Sequence, residues 1–534
     1  MDEERASVLV VGGSLVGLSA AVFLAKQGVR TLVVERHAGS SAHPRAIGYT
    51  ARTMESYRAA GLGARIPQVP VTARLRRAKV SSLVGHWEEE PAWTPDEGTA
   101  PPWKFSPCTG AAIAQDRLEP ILRERARELG ADVRMETELV RFEQDAAGVT
   151  AVLRPRAGAE YTVHADYLVA ADGHRSPIRA ALGIGRTGRG HLRTARSVLF
   201  RAPLEPYLAS GISQFSIAQP DFEAFLTTYG DGRWVLFLRD DEEHDEATLR
   251  ALIHRSIGRT DVPVEIVTTG RWEVSALIAD RFASGRVFLA GDAAHTLPPN
   301  RGGYGANTGI DDAHNLAWKL AAVVSGASSP ALLDTYDVER RPIAWLRHDQ
   351  IFARPDFKAF GPRGNDTDAP VPLIDDAAME LGALYRSTPL RAGRSAAVMG
   401  APDTLPPALR PDLWAGQPGT RAPHAWLDAE ETRSTLDLLQ DGWVLLCDDA
   451  RWTDAAARAS GALAIPLAVV RIGDHTDGGR AVAIRSALGI DDTGASLVRP
   501  DGYVAFRAPR LPSDAPSALT AALAQVARAV RGVR

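Results

Sequence analysis

The feature that most constrains this chain is a glycine-rich turn, Gly12-Gly13-Ser14-Leu15-Val16-Gly17, set between an apolar run and a stretch of helical spacing. Residues 8–11 read as a short buried strand, and 15–26 as a helix. Glycines let the backbone turn tightly between the two. The free N–H groups of the helix then point at an anion, in the geometry that grips a dinucleotide pyrophosphate. A second apolar run, 31–34, ends in Glu35, 18 residues after Gly17, where a carboxylate can accept both ribose hydroxyls. The middle glycine of G-x-G-x-x-G is here Ser14, which is small and has a hydroxyl able to donate to phosphate. Gly12, Ser14, Leu15, Val16, Gly17 and Glu35 are therefore expected to bind the cofactor.

Residues 6–25 carry no charge over a length that could span a membrane. Asp2, Glu3 and Glu4 precede them, opposite in sign to a signal peptide, and the glycines fall where a strand-to-helix turn belongs. We expect a cytoplasmic protein. A net charge of -4 argues against nucleic acid and acidic membranes as partners. Cys108 and Cys447, the only cysteines, leave no disulfide framework and no cysteine-based metal site.

Further along, Arg36 and Arg45 are candidates to neutralise cofactor phosphates. A helix is expected from about 50 to 60, and residues 64–108 change character, with Trp87, Trp93 and Trp103 among prolines. Gln115 and Arg117 lead into a helix ending near Gly130, followed by a meander of strands at 131–136, 139–145, 149–154 and 161–164. A separate buried strand then reaches the turn Asp172-Gly173, after which Ser176 is placed to cap a helix. Residues 185–278 read mostly as strands, interrupted by a helix at about 245–257. The strand 287–290 runs into Gly291-Asp292-Ala293-Ala294-His295. A loop rich in proline and glycine follows, Pro298-Pro299-Asn300-Arg301-Gly302-Gly303-Tyr304-Gly305-Ala306-Asn307, and then a helix from about 308 to 325.

These three elements in this order, Gly12 to Gly17, Asp172-Gly173 and Gly291-Asp292, resemble the group A flavin-dependent aromatic monooxygenases of the p-hydroxybenzoate hydroxylase fold. Asn307-Thr308-Gly309-Ile310-Asp311-Asp312-Ala313-His314-Asn315-Leu316 resembles the branch acting on aromatic polyketides. So do Gly419 to His424, Ser434 to Asp437 and Leu497 to Gly502.

The resemblance implies an α/β chain. A Rossmann-like FAD-binding domain would take 1–71, 109–184 and 279–353, and an inserted β-sheet substrate domain 72–108 and 185–278. A linker with helical content would follow at 354–399, then a thioredoxin-like domain at 400–534 with no C-x-x-C and hence no thiol redox chemistry. Asp292 would bond the ribityl hydroxyls of FAD, with helix capping as its plainer role. Gly291, Gly303, Gly305, Ala306 and Asn307 would bring backbone N–H groups to the flavin, and Pro298 and Pro299 would wall it. Gln115 and Arg117 resemble flavin-contacting positions. Asp172 and Arg179 belong to a segment tied to FAD and NADPH, although Arg179 also reads as a helix-surface residue.

The resemblance further implies that NADPH reduces FAD, that O2 then forms a C4a-hydroperoxide, and that a polycyclic phenol attacks it. His43, His86 and His295 are the candidate bases, each with a structural role as the competing reading. Phe215, Phe225, Trp234 and Phe237 could line a wide substrate slot, though some of these must be sheet core. A Baeyer–Villiger or epoxidising enzyme on the same scaffold and a non-catalytic FAD-binding scaffold protein are the rival readings. A flavin halogenase is disfavoured because W-x-W-x-I-P is missing. A monomer or homodimer is expected.

Overall fold

In the computed structural model the described residues are 4–71, 76–90, 102–299, 303–354, 371–387, 397–398, 405–439 and 441–530, with the side chains of 102, 103, 397 and 398 not described. Trp93, Asn300, Arg301 and Gly302 lie outside them, as does the Trp103 side chain.

Along the chain, strand β1 (Glu4–Val11) turns into helix α1 (Leu15–Lys26) and returns as β2 (Thr31–Val34). Helix α2 (Ala51–Ala59) starts where the Thr50 side chain accepts the Thr53 N–H, which satisfies one orphan donor of the first turn. Helix α3 (Gln115–Glu128) buries Leu118, Leu122 and Ala126 on one face, and β3 (Tyr161–Ala170) follows after a hairpin. Next come β4 (Arg186–Arg201), β5 (Phe222–Thr228), β6 (Arg233–Leu238), α4 (Glu246–Ile257) and β7 (Glu265–Ala279). Then β8 (Val287–Leu289) leads to α5 (Tyr304–Val324) and α6 (Thr335–Ala353).

The first sheet is a parallel nucleotide-binding layer. Its order is β8, β3, β1, β2 and Asp132–Arg134, all parallel neighbours. Two sequence expectations change here. Residues 161–164 and 167–170 form one strand, its N-terminal half pairing with the hairpin and its C-terminal half completing the core. The strand at 132–134 pairs with β2 at the sheet edge and is not part of the meander.

The second sheet runs His295–Thr296, β7, β4, β6, β5, Gln214–Gln219, Arg77–Val80, Trp87–Glu89. Helix α4 covers one face, where Leu249, Ile253 and Ile257 join Phe200, Phe215, Leu226, Trp234 and Leu236 in a separate core. Two clasps tie this sheet to the first layer. Arg233 at the start of β6 bonds Asp116 on α3 at 2.7 and 3.2 Å, and Tyr229 Oη donates to Pro44 O at 2.7 Å.

The C-terminal unit has strands at Trp443–Cys447, Leu467–Arg471, Ala495–Val498 and Val504–Ala508. The first two are parallel and the last two antiparallel, with helices between. That order and direction are those of a thioredoxin core. Cys108 and Cys447 are both buried, and burial pushes each thiol up to about 12. No helix among the described residues is long and apolar enough to cross a membrane.

Candidate functional site

The glycine turn packs so tightly that side chains are excluded. A Cβ on Gly12 would stand 2.2 Å from Ala171 O, one on Gly13 would stand 2.6 Å from Glu35 Cβ, and one on Gly17 would stand 1.8 Å from Gly12 O. Gly12 has φ +109°, open mainly to glycine. Ser14 sits at the N-cap of α1 but makes no side-chain cap. Among the described residues, the first-turn amides of Leu15, Val16 and Gly17 meet no acceptor, so the positive end of α1 faces the cleft.

The Ser14 hydroxyl departs from expectation. It donates to the buried Glu119 Oε1 at 2.5 Å, and Gln115 Nε2 reaches both Ser14 Oγ (2.9 Å) and Glu119 (2.8 Å). The side chain is therefore committed within the protein, and the turn's offer to an anion is its backbone. Gln115 Oε1 accepts the N–H groups of Arg45 and Ala46, so this one amide couples the glycine turn to the Arg45 loop. Glu119, four residues after Gln115, was readable as its neighbour on the helix face but was missed.

Glu35 ends β2 as expected and accepts the N–H groups of Gly13 (2.7 Å) and His37 (2.9 Å). Arg36 and Arg117 are exposed, and Arg117 lies 3.9 Å from Asp231. Asp172 Oδ2 accepts Ile178 N, while Oδ1 is buried without a partner, and burial raises the carboxyl above its usual range. Arg179 is neither a surface residue nor exposed to a ligand. It is buried and donates to Ala293 O (2.8 Å) and His174 O (3.0 Å), clamping the Asp-Gly turn to the Gly-Asp turn.

Gly291 has φ +61°, and a Cβ there would meet Val16 at 2.7 Å. Asp292 is exposed in a short 3-10 turn, with no hydrogen-bond partner among the described residues, and it caps no α-helix. Helix α5 begins earlier than the sequence suggested, at Tyr304, because Gly303 adopts φ +57° and serves as its N-cap. Gly305 and Ala306 are thus first-turn helical residues, and among the described residues no backbone acceptor holds their N–H groups. The side chain of Asn307 is a staple. Its Oδ1 accepts from Thr53 Oγ1 (2.6 Å) and Thr50 N (3.0 Å), and its Nδ2 donates to Gly303 O and Gly48 O. Pro298 is buried and Pro299 exposed.

The uncovered face of the second sheet carries Phe225, Phe237 and Trp272, all half-buried. Phe225 and Phe237 centroids lie 6.1 Å apart, and Phe237 and Trp272 5.3 Å. Arg77 lies over Phe225 at 5.0 Å and Arg45 over Trp272 at 5.7 Å. Phe215 and Trp234, expected on this slot, are fully buried on the opposite face against α4. Strand alternation separates them from Phe225 and Phe237. Trp272 went unremarked in the sequence, although residues 265–273 alternate in exposure along β7.

Trp272 Nε1 donates to Ser197 Oγ (2.6 Å), which also bonds His43 Nε2 at 2.8 Å. His43 is buried, and desolvation lowers its pKa, so it is neutral and held as part of this floor. His295 is fully buried on Asp312, and His86 is exposed between the two outermost strands. None of the three histidines is poised as a free base.

The residues present fit FAD: glycine-lined close approaches, two uncapped helix N-termini, an orphaned Asp172 oxygen and an unpartnered Asp292. Comparison with known proteins agrees. Residues 5–350 match the family model described as FAD binding domain, and 415–529 the one described as aromatic-ring hydroxylase, C-terminal. The chain is 41% identical to tetracenomycin B2 monooxygenase-dioxygenase of Streptomyces olivaceus, over 98% of this chain and 99% of that one. It is 40% identical to 4-methyl-5-nitrocatechol 5-monooxygenase of a Burkholderia species, over 97% of both. The solved structure of aklavinone-11 hydroxylase with FAD and aklavinone superposes with a TM-score of 0.86 at 36% identity, covering 99% of this chain and 100% of that one.

Proposed function

The chain belongs to the FAD-dependent aromatic-ring monooxygenases, and from that premise we propose that it hydroxylates a polycyclic aromatic polyketide in antibiotic biosynthesis, using NADPH and O2. The observation that carries the substrate class is the half-exposed floor of Phe225, Phe237 and Trp272, a surface broad enough for fused planar rings to stack on. The relatives named for tetracenomycin and aklavinone support the same reading.

FAD, when bound, would supply the redox chemistry that activates O2 for transfer of one oxygen atom to the ring. The first-turn amides of α1 would hold the pyrophosphate, Glu35 the ribose hydroxyls and Asp292 the ribityl chain. The amides of Gly305 and Ala306 would stabilise negative charge on the reduced ring. Gly303 and Pro299 would border the reacting face, and Arg45 would neutralise phosphate from its loop over Trp272. No base is assigned, because a polycyclic phenol is acidic enough to react as its anion. The protein would work in the cytoplasm as a monomer or homodimer.

The test is NADPH oxidation coupled to product mass, with anthracycline, angucycline and tetracycline-type aromatics beside simple phenols. One added oxygen atom on a polycyclic substrate is the expected result. The relative named for a nitrocatechol favours a second reading, a single-ring phenol, and efficient coupled turnover of monocyclic phenols alone would establish it. A ring-expanded lactone or an epoxide would instead reassign the reaction. Bound FAD without NADPH turnover on any aromatic would point to a scaffold protein.

A further inference from the structure

The Gly291–Asp292 turn is held from behind by a chain of contacts that ends in the C-terminal unit. Gly291 N donates to Asp312 Oδ2 at 3.2 Å, and His295 Nε2 meets the same oxygen at 2.7 Å. Asp312 Oδ1 accepts from Arg340 Nε at 2.8 Å. Arg340 donates onward to Thr308 O (3.1 Å) on α5 and to the Tyr385 hydroxyl (2.9 Å). The Tyr385 ring stacks on Tyr503 of the C-terminal unit, with centroids 4.0 Å apart and planes 13° from parallel. Asp312, His295, Arg340, Tyr385 and Tyr503 are all buried.

Each link is constrained. Burial pushes the Asp312 carboxyl up, but Arg340 and His295 overcome this and hold it below its usual range, so it stays an acceptor for Gly291. Gly291 sits in a tight corner, with φ +61° and space for no side chain, since a Cβ would stand 2.7 Å from Val16 of α1. The next residue, Asp292, is exposed, and its carboxylate makes no hydrogen bond among the described residues.

We propose that Arg340 and Tyr385 are positioning residues through which docking of the C-terminal unit orients Asp292 toward the flavin. This gives that unit a role that needs no thiol chemistry, and it rests on reading Asp292 as a flavin ligand.

The experiment is FAD titration of the full-length apoprotein, followed by flavin fluorescence, in a double-mutant cycle of Tyr385→Phe and Asp292→Ala. Tyr385→Phe keeps the ring stack and removes only the hydroxyl. It leaves an Arg340 N–H without its acceptor, so some loss of thermal stability is expected and decides nothing. The expected result is an FAD affinity weakened by about three- to thirtyfold in the Asp292 background and unchanged when Asp292 is already alanine. Tyr503→Leu should act in the same direction and add nothing to Tyr385→Phe. Equal effects of Tyr385→Phe with and without Asp292 would overturn the proposal and leave a purely structural network. So would unchanged affinity in Tyr385→Phe alongside weakened affinity in Asp292→Ala. Unchanged affinity in Asp292→Ala would remove the flavin reading of that residue, and the proposal with it.

Discussion

The flavin cleft and the seam against the C-terminal unit are both rich in polar groups, and they differ in how those groups are satisfied. In the cleft, among the described residues, Asp172 Oδ1 is buried without a partner and its carboxyl is raised, Asp292 makes no hydrogen bond, and two helix N-termini have no side-chain cap. At the seam buried carboxylates are paired with cations. Glu339 bonds Arg499 at 2.7 and 2.9 Å and Lys319 at 2.8 Å, while Arg421 and Arg52 both reach Glu55. Burial alone would raise the Glu339 and Glu55 carboxyls, yet both are lowered by their cations. Unpaired carboxylate oxygens thus distinguish the cleft, and carboxylates paired with arginine or lysine distinguish the seam.

The largest effect should come from opening the closed region. Glu339→Ala strands Arg499 and Lys319 without their shared carboxylate, at a cost of about 3–5 kcal/mol in unfolding free energy. Denaturant unfolding measures it. A loss under 1 kcal/mol would mean that the seam is solvated and the contrast with the cleft is false.

Asp292→Ala should do the reverse, leaving the unfolding of the apoprotein almost unchanged while weakening FAD retention by about 1.5–3 kcal/mol. Flavin release measured by ultrafiltration checks it.

Acid should also separate the two regions. Burial lowers His314 to about 3 and His424 to about 4, so both are neutral in the fold, while the unfolded chain takes up protons below about 6.5. Their contribution to stability is present above that value and lost as pH falls toward 3. The lowered Glu339, Glu55 and Asp312 add a further loss below about 4.5 as the unfolded carboxylates protonate. Melting temperature should be level between pH 7 and 8 with respect to these groups and fall steadily below pH 6.5. A fall confined to pH below 4 would remove the histidines from the account.

The smallest effect contrasts the two faces of the substrate sheet. Phe237→Ala should weaken binding of a polycyclic aromatic by about 0.5–1.5 kcal/mol beyond its lost area, with little change in folding. Its counterpart Phe215→Ala should change folding and spare binding.

How far the sequence could be read follows from the range of each interaction. The glycine turn, Glu35 and the Gly-Asp segment were legible because a local backbone requirement dictates the residues. The phase of the substrate strands was not, since Trp234-Val235-Leu236-Phe237-Leu238 is apolar throughout and carries no alternation to tell core from slot. Arg179 read as a surface residue because its partner, Ala293 O, lies 114 positions away. The Asn307 staple was not legible because nothing local reveals Thr50 and Thr53 as partners of its side chain.

The two buried cysteines carry a practical meaning for the proposed reaction of O2 at a reduced flavin. Futile cycles of such chemistry release hydrogen peroxide, which attacks thiolates and spares thiols. With both sulfurs sealed in hydrophobic cores and their thiol pKa pushed up to about 12, the chain offers its own by-product almost no thiolate. Uncoupled turnover should then consume reductant without inactivating the catalyst through its cysteines, and the protein should keep its activity in storage with no added thiol.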